Sequence, residues 1–203
     1  MGLSIINFLF SGIAVIICLV LHELGHGFVS YLLGDETPKK EGRLTLNPLA
    51  HLDLMGTIML LFFHFGWAKP VSIRSDNYKH QKLGVVLTAL AGPLVNFLIA
   101  LIGLFLLNIS MIEGTYLSLL LSYIVTISVS LGVFNLIPIP PLDGSKVLYA
   151  ILPSDLYFKY MRYEQYGMII LIICLVTGIL NAPLTIGVSV VYSVLGSIVG
   201  LIL

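Results

Sequence analysis

His22, Glu23 and His26 stand in the order His-Glu-Leu-Gly-His within an apolar stretch over residues 3–33. On a helix, side chains four apart share a face, so both imidazoles aim at one point. Two imidazoles so placed bind zinc, and a glutamate between them serves as general base toward water. Ionisable groups in so apolar a stretch are costly unless they pair or serve a function, and no Lys or Arg lies there to pair with Glu23. A catalytic zinc takes three protein ligands and keeps one position open, so a third ligand must come from elsewhere at the same depth. Glu113 falls in a loop on the wrong side of the topology below, and Asp35, Glu36 and Glu41 are too near in sequence to fold back. Asp53, Asp76 and Asp143 stay as candidates, with Asp143 the best placed. It closes the run Asn135-Leu136-Ile137-Pro138-Ile139-Pro140-Pro141-Leu142-Asp143-Gly144. The three prolines end a helix and leave carbonyls without helical partners. At membrane depth such backbone is tolerated only against protein or a watery cavity. Asp143 also precedes Gly144-Ser145-Lys146-Val147 as a helix N-cap does, a role compatible with ligation.

The elements that must position these groups are membrane helices. The chain has 203 residues, 58% hydrophobic and only 10% charged, with a mean hydropathy of +1.05. A soluble domain carries roughly a quarter charged residues. Net charge is zero, so nothing points to nucleic acid as a partner. Cys18 and Cys174 both lie in apolar runs and form no C-x-x-C site. No Lys or Arg precedes the first apolar run, so it reads as a retained span and not a signal peptide. A span needs about 20 apolar residues. Residues 3–33, 83–107 and 115–137 meet that expectation, and the charge-free run 165–203 is long enough for two spans, 166–180 and 184–203, joined by a hairpin at Asn181-Ala182-Pro183. A sixth run, residues 54–68, is short and suits a re-entrant segment.

Basic residues concentrate in 34–52, 66–82 and 138–163, which the positive-inside rule places in the cytoplasm. All three share a side only if 54–68 enters and leaves on the same face. The N-terminus is then outside and the C-terminus inside, and Asp143 emerges beside His22 and His26. Residues 43–47 alternate at period two and 70–73 have β character, so a small strand pair is expected on the cytoplasmic side. The fold expected is an all-α integral membrane bundle of five or six transmembrane helices, with a short re-entrant segment and that strand pair, in a single domain over 1–203.

Five segments in order carry a resemblance: His22-Glu23-Leu24-Gly25-His26, Asn47-Pro48-Leu49-Ala50-His51-Leu52-Asp53, Gly66-Trp67-Ala68-Lys69-Pro70-Val71, Ala91-Gly92-Pro93-Leu94-Val95-Asn96 and Asn135 to Gly144. From about residue 20 to 150 the chain resembles the site-2 protease family of intramembrane zinc metalloproteases, peptidase family M50. The resemblance implies one zinc per chain bound by His22, His26 and Asp143, with Glu23 catalytic. Asn135 resembles the family asparagine that helps place the substrate or its reacting carbonyl. It implies a transmembrane protein or peptide as substrate, cut within the bilayer, in a multi-pass protein of the plasma membrane whose active site faces the cytoplasm. The PDZ and CBS modules of some members are not seen. The competing class is a zinc-binding membrane protein without protease activity. Asn96, His51 and Asp53 read as helix contacts or braces with a possible role at the site, His64 as a satisfied core histidine, His80 as solvated, and Gly92 and Pro93 as packing and kink residues.

Overall fold

The computed structural model describes residues 2–53, 56, 69–109 and 113–203. Its helices are α1 (Gly2–Leu32), α2 (Thr37–Lys40), α3 (Gln81–Leu107), α4 (Tyr116–Asn135), α5 (Asp143–Val147), α6 (Ser154–Met161), α7 (Glu164–Val176) and α8 (Asn181–Ile202). Four of them, α1, α3, α4 and α8, are long and apolar enough to cross a membrane. At 1.5 Å per residue they reach ~30 Å or more, the thickness of a bilayer core. Side chains such as Phe8, Leu94, Leu98, Ile102 and Val190 stand exposed on their outer faces, as lipid contact requires. This is a multi-pass membrane protein.

Small residues set the helix contacts, as expected where lipid removes the hydrophobic drive for association. A Cβ at Gly25 of α1 would stand 2.9 Å from Val95 and 3.1 Å from the Ala91 carbonyl of α3. A Cβ at Gly103 would stand 2.6 Å from Val125, and Gly132 similarly receives the Phe97 ring. His26 meets Thr88 while His22 meets Asn96, so α1 and α3 are antiparallel. Gly103 pairs with Val125 and Phe97 with Gly132, so α3 and α4 are antiparallel too. α1 and α4 therefore point the same way and end on the same side. Ala14 and Cys18 of α1 pack on Ile124 of α4.

The C-terminal part departs from expectation. The span anticipated over 166–180 is the 13-residue helix α7, ~20 Å long and short of a bilayer. The turn falls at 177–180, with Gly178 at φ 71°, and α8 starts at Asn181. Pro183 is accommodated in its first turn, where no intrahelical N–H is needed. Gly187 of α8 faces Val133 of α4, and Tyr192 bonds Thr126, so α8 runs against α4. With one crossing fewer, the C-terminus lies at the same end of the bundle as the N-terminus, opposite the end where His26 and Asn135 sit. The expected placement of the two termini on opposite sides is thus corrected.

No strand forms among the described residues, and the expected pair at 43–47 and 70–73 is corrected as well. The backbone donors that would build a ladder are engaged elsewhere. Val71 N–H goes to the Glu23 carboxylate and Arg74 N–H to Asp35. Arg43 N–H goes to the Pro38 carbonyl, and the Thr45 carbonyl faces His51 Nε2. The run 54–68 lies outside the described residues apart from Gly56. The residues that bracket it are neighbours, since Lys69 N–H donates to the His51 carbonyl at 2.8 Å.

Candidate active site

α1 carries His22 and His26 one turn apart, as the sequence spacing requires, and both are buried. Asp143 is brought to them by the chain after α4. The helix stops at Asn135, and Leu142 N–H closes a turn on the Ile139 carbonyl. α5 then starts with Asp143 as its first residue, not its cap. Gly144 allows this return: a Cβ there would lie 2.5 Å from the Ile137 carbonyl oxygen and closer still to Leu136 O.

Three ligand atoms converge. His22 Nε2 is 3.2 Å and His26 Nε2 3.1 Å from Asp143 Oδ2. The two Nε2 atoms are 3.0 Å apart. Atoms bound 2.0–2.1 Å from one tetrahedral zinc stand about 3.3 Å from one another, so the spacing fits that ion. Among the described residues this is the one group of three or more His, Cys, Asp or Glu able to share a metal. His26 Nδ1 lies 2.7 Å from the Thr88 carbonyl oxygen, which accepts the Nδ1–H and leaves the Nε2 lone pair for a cation.

Gly92 of α3 faces this point. A Cβ there would stand 2.7 Å from His22 Nε2 and nearer to His26 Nε2, in the space the metal would need. Reading Gly92 as a packing residue missed this role. Glu23 lies beside the cluster, and its Oε2 accepts the Val71 N–H at 3.0 Å. A cavity of about 520 Å³ opens from Glu23, His22, His26 and Asp143 toward Tyr149, Tyr157 and Met161. Asn135 lines it, with its amide donating to the Leu131 carbonyl at 3.0 Å. Lys146 Nζ stands 3.8 Å from Asp143 Oδ1.

The other candidates lie elsewhere. Asp76 accepts from Gln81, and Asp53 from the Gly56 N–H. His51 is buried against Thr45 O. His64 falls outside the described residues. Thr88 and the Val71 N–H escaped the sequence because both act through backbone atoms.

A membrane helical bundle with two histidines, an aspartate and a neighbouring glutamate converging on a cavity belongs to the class of membrane-embedded metallohydrolases. The profile of peptidase family M50 matches residues 108–178. YwhC of Bacillus subtilis, a putative zinc metalloprotease, is 39% identical over 173 residues, covering 81% of this chain and 79% of that protein. The putative zinc metalloprotease Rip2 of Mycolicibacterium smegmatis is 30% identical over 80% of this chain and 65% of its own length. The zinc metalloprotease MJ0392 of Methanocaldococcus jannaschii is 32% identical over 89% of this chain and 47% of its own length. No solved structure matches. The chain belongs to peptidase family M50 and is a zinc metalloprotease of that family.

Proposed function

We propose that this protein cuts peptide bonds in the transmembrane segments of membrane-anchored substrates, with His22, His26 and Asp143 as the zinc ligands and Glu23 as general base. The observation that carries it is the meeting of two imidazole Nε2 atoms and a carboxylate oxygen within 3.2 Å, a donor set and spacing that suit three ligands of one zinc ion. Zinc in such a site supplies Lewis-acid polarisation of the scissile carbonyl and acidifies water.

Glu23 takes the proton of the attacking water and returns it to the leaving nitrogen. The Val71 N–H holds one of its oxygens and so aims the other. Asn135, on the cavity wall, has an amide able to meet the substrate carbonyl. A helix hides its amides in intrahelical bonds, so the substrate must unwind locally. Residues 70–73, whose Pro70, Val71 and Ile73 line the cavity, form a wall beside which an unwound stretch can lie.

Nine of the ten Lys and Arg residues fall between α1 and α3 or between α4 and α7, and the tenth, Lys82, lies in the first turn of α3 at the same end. The positive-inside rule turns that end toward the cytoplasm, which fits a plasma-membrane protease cutting near the cytoplasmic ends of its substrates. Residues 1–203 act as one catalytic domain.

The test is cleavage of a reconstituted transmembrane substrate, with zinc content measured alongside. The wild type is expected to cut and to hold one zinc, and the Glu23→Gln protein to hold zinc without cutting. Cleavage that persists in Glu23→Gln, or protein without zinc, would refute the proposal. Zinc without cleavage in the wild type would favour a metal-binding protein of another kind.

A further inference from the structure

We infer that Asn96 is a positioning residue for His22, holding its Nδ1–H so that the Nε2 lone pair is turned to the metal. The inference rests on the zinc reading proposed above. Asn96 is fully buried in α3. Its Nδ2 lies 3.2 Å from His22 Nδ1, and its Oδ1 is buried with no hydrogen-bond partner. Amide oxygen and nitrogen exchange places by a half-turn of the side chain, with nearly unchanged shape. In the arrangement drawn, Nδ2–H donates to Nδ1, which leaves the His22 proton on Nε2, aimed at His26 Nε2 and Asp143. A cation there requires the opposite tautomer, with the proton on Nδ1 and an acceptor to receive it. The turned Asn96 supplies that acceptor from the atom otherwise left without a partner.

The placement is systematic. Thr88, Gly92 and Asn96 recur every four residues on one face of α3, antiparallel to the His22–His26 face of α1. Thr88 receives the Nδ1–H of His26, the turned Asn96 receives that of His22, and Gly92 between them leaves the space where both Nε2 atoms meet. α3, which contributes no ligand, thus fixes the rings of both histidines.

Two substitutions separate this role from packing. Asn96→Asp keeps an acceptor, and Asn96→Leu keeps the volume without one. Zinc affinity is read by competition with a chelator, and site geometry by the visible spectrum of the cobalt-loaded protein. Asn96→Leu is expected to lose 10- to 100-fold in zinc affinity and to change the cobalt spectrum. Asn96→Asp is expected to restore both. Zinc binding by Asn96→Leu at wild-type affinity, with an unaltered spectrum, overturns the inference while leaving the zinc reading intact. Zinc-free wild type instead removes the zinc reading itself. Should Asn96→Leu fail to fold, 15N resonances of imidazole-labelled, zinc-loaded wild type decide. A protonated, hydrogen-bonded Nδ1 on His22 supports the inference, and metal ligation through Nδ1 overturns it.

Discussion

The carboxylate of Glu23, in the middle of a membrane helix, accepts the backbone N–H of Val71, forty-eight positions along the chain, at 3.0 Å. A single hydrogen bond thus joins the proposed general base to the segment proposed to lie along the substrate. Replacing Glu23 by Gln keeps an acceptor for Val71 but removes the basic oxygen. We expect cleavage to fall by ~10² to 10⁴, the usual contribution of general acid–base catalysis, with zinc retained. Turnover assays and metal analysis on the same preparation check this.

Gly92→Ala would set a methyl carbon beside both ring nitrogens. The expected outcome is a bundle of normal helicity that no longer holds stoichiometric zinc, read by circular dichroism and metal analysis. A normal zinc content would show that α3 can draw back from α1.

Gly144→Ala would drive a methyl carbon into the backbone at the end of α4, which cannot yield as a side-chain tip can. Overpacking costs typically ~1–3 kcal/mol, and Asp143 would be displaced from the imidazoles. Both a lower melting temperature and weaker zinc binding are expected.

Asp35 is fully buried where α1 gives way to the loop, and it accepts from Ser30 Oγ, Thr37 N–H and Oγ1, Arg74 N–H and Asn77 Nδ2. Burial acts to raise its carboxyl, but these donors bring it down from 3.8 to about 2. A depressed folded-state value stabilises the fold above the unfolded value, so the contribution is complete above pH 3.8 and is lost as pH falls through about 2. The same Ser30 hydroxyl accepts from Tyr78, whose OH also meets Thr88 Oγ1, linking the loop to the residue that holds His26. Asp35→Asn should destabilise the protein by ~1–3 kcal/mol at neutral pH through unmatched donors and flatten the acid limb of a melting-temperature profile.

Reporters fused at either end should register the same compartment, because α8 runs against α4 and returns the chain to the side where α1 begins. Opposite compartments would mean that α7 crosses the bilayer after all.

Residue type and spacing alone pointed to the candidate metal group and to the membrane as the solvent of this protein. Two histidines one turn apart around a glutamate, in a stretch without countercharge, have little else to do, and a charge content this low needs lipid. The prolines after Asn135 likewise announced an irregular return of the chain at Asp143. The number of crossings was less legible, because hydropathy sees the apolar run around α7 but not that its helix closes after 13 residues. Nor could β character in 70–73 show that the Val71 N–H goes to Glu23 and the adjoining Arg74 N–H to Asp35. Only the tertiary structure decided that α3 faces the candidate metal group, since Thr88 meets it through its carbonyl, Gly92 through a missing Cβ and Asn96 through a partner 74 positions away. Periodicity records which residues share a face, whereas the neighbour of that face is set by how the helices pack.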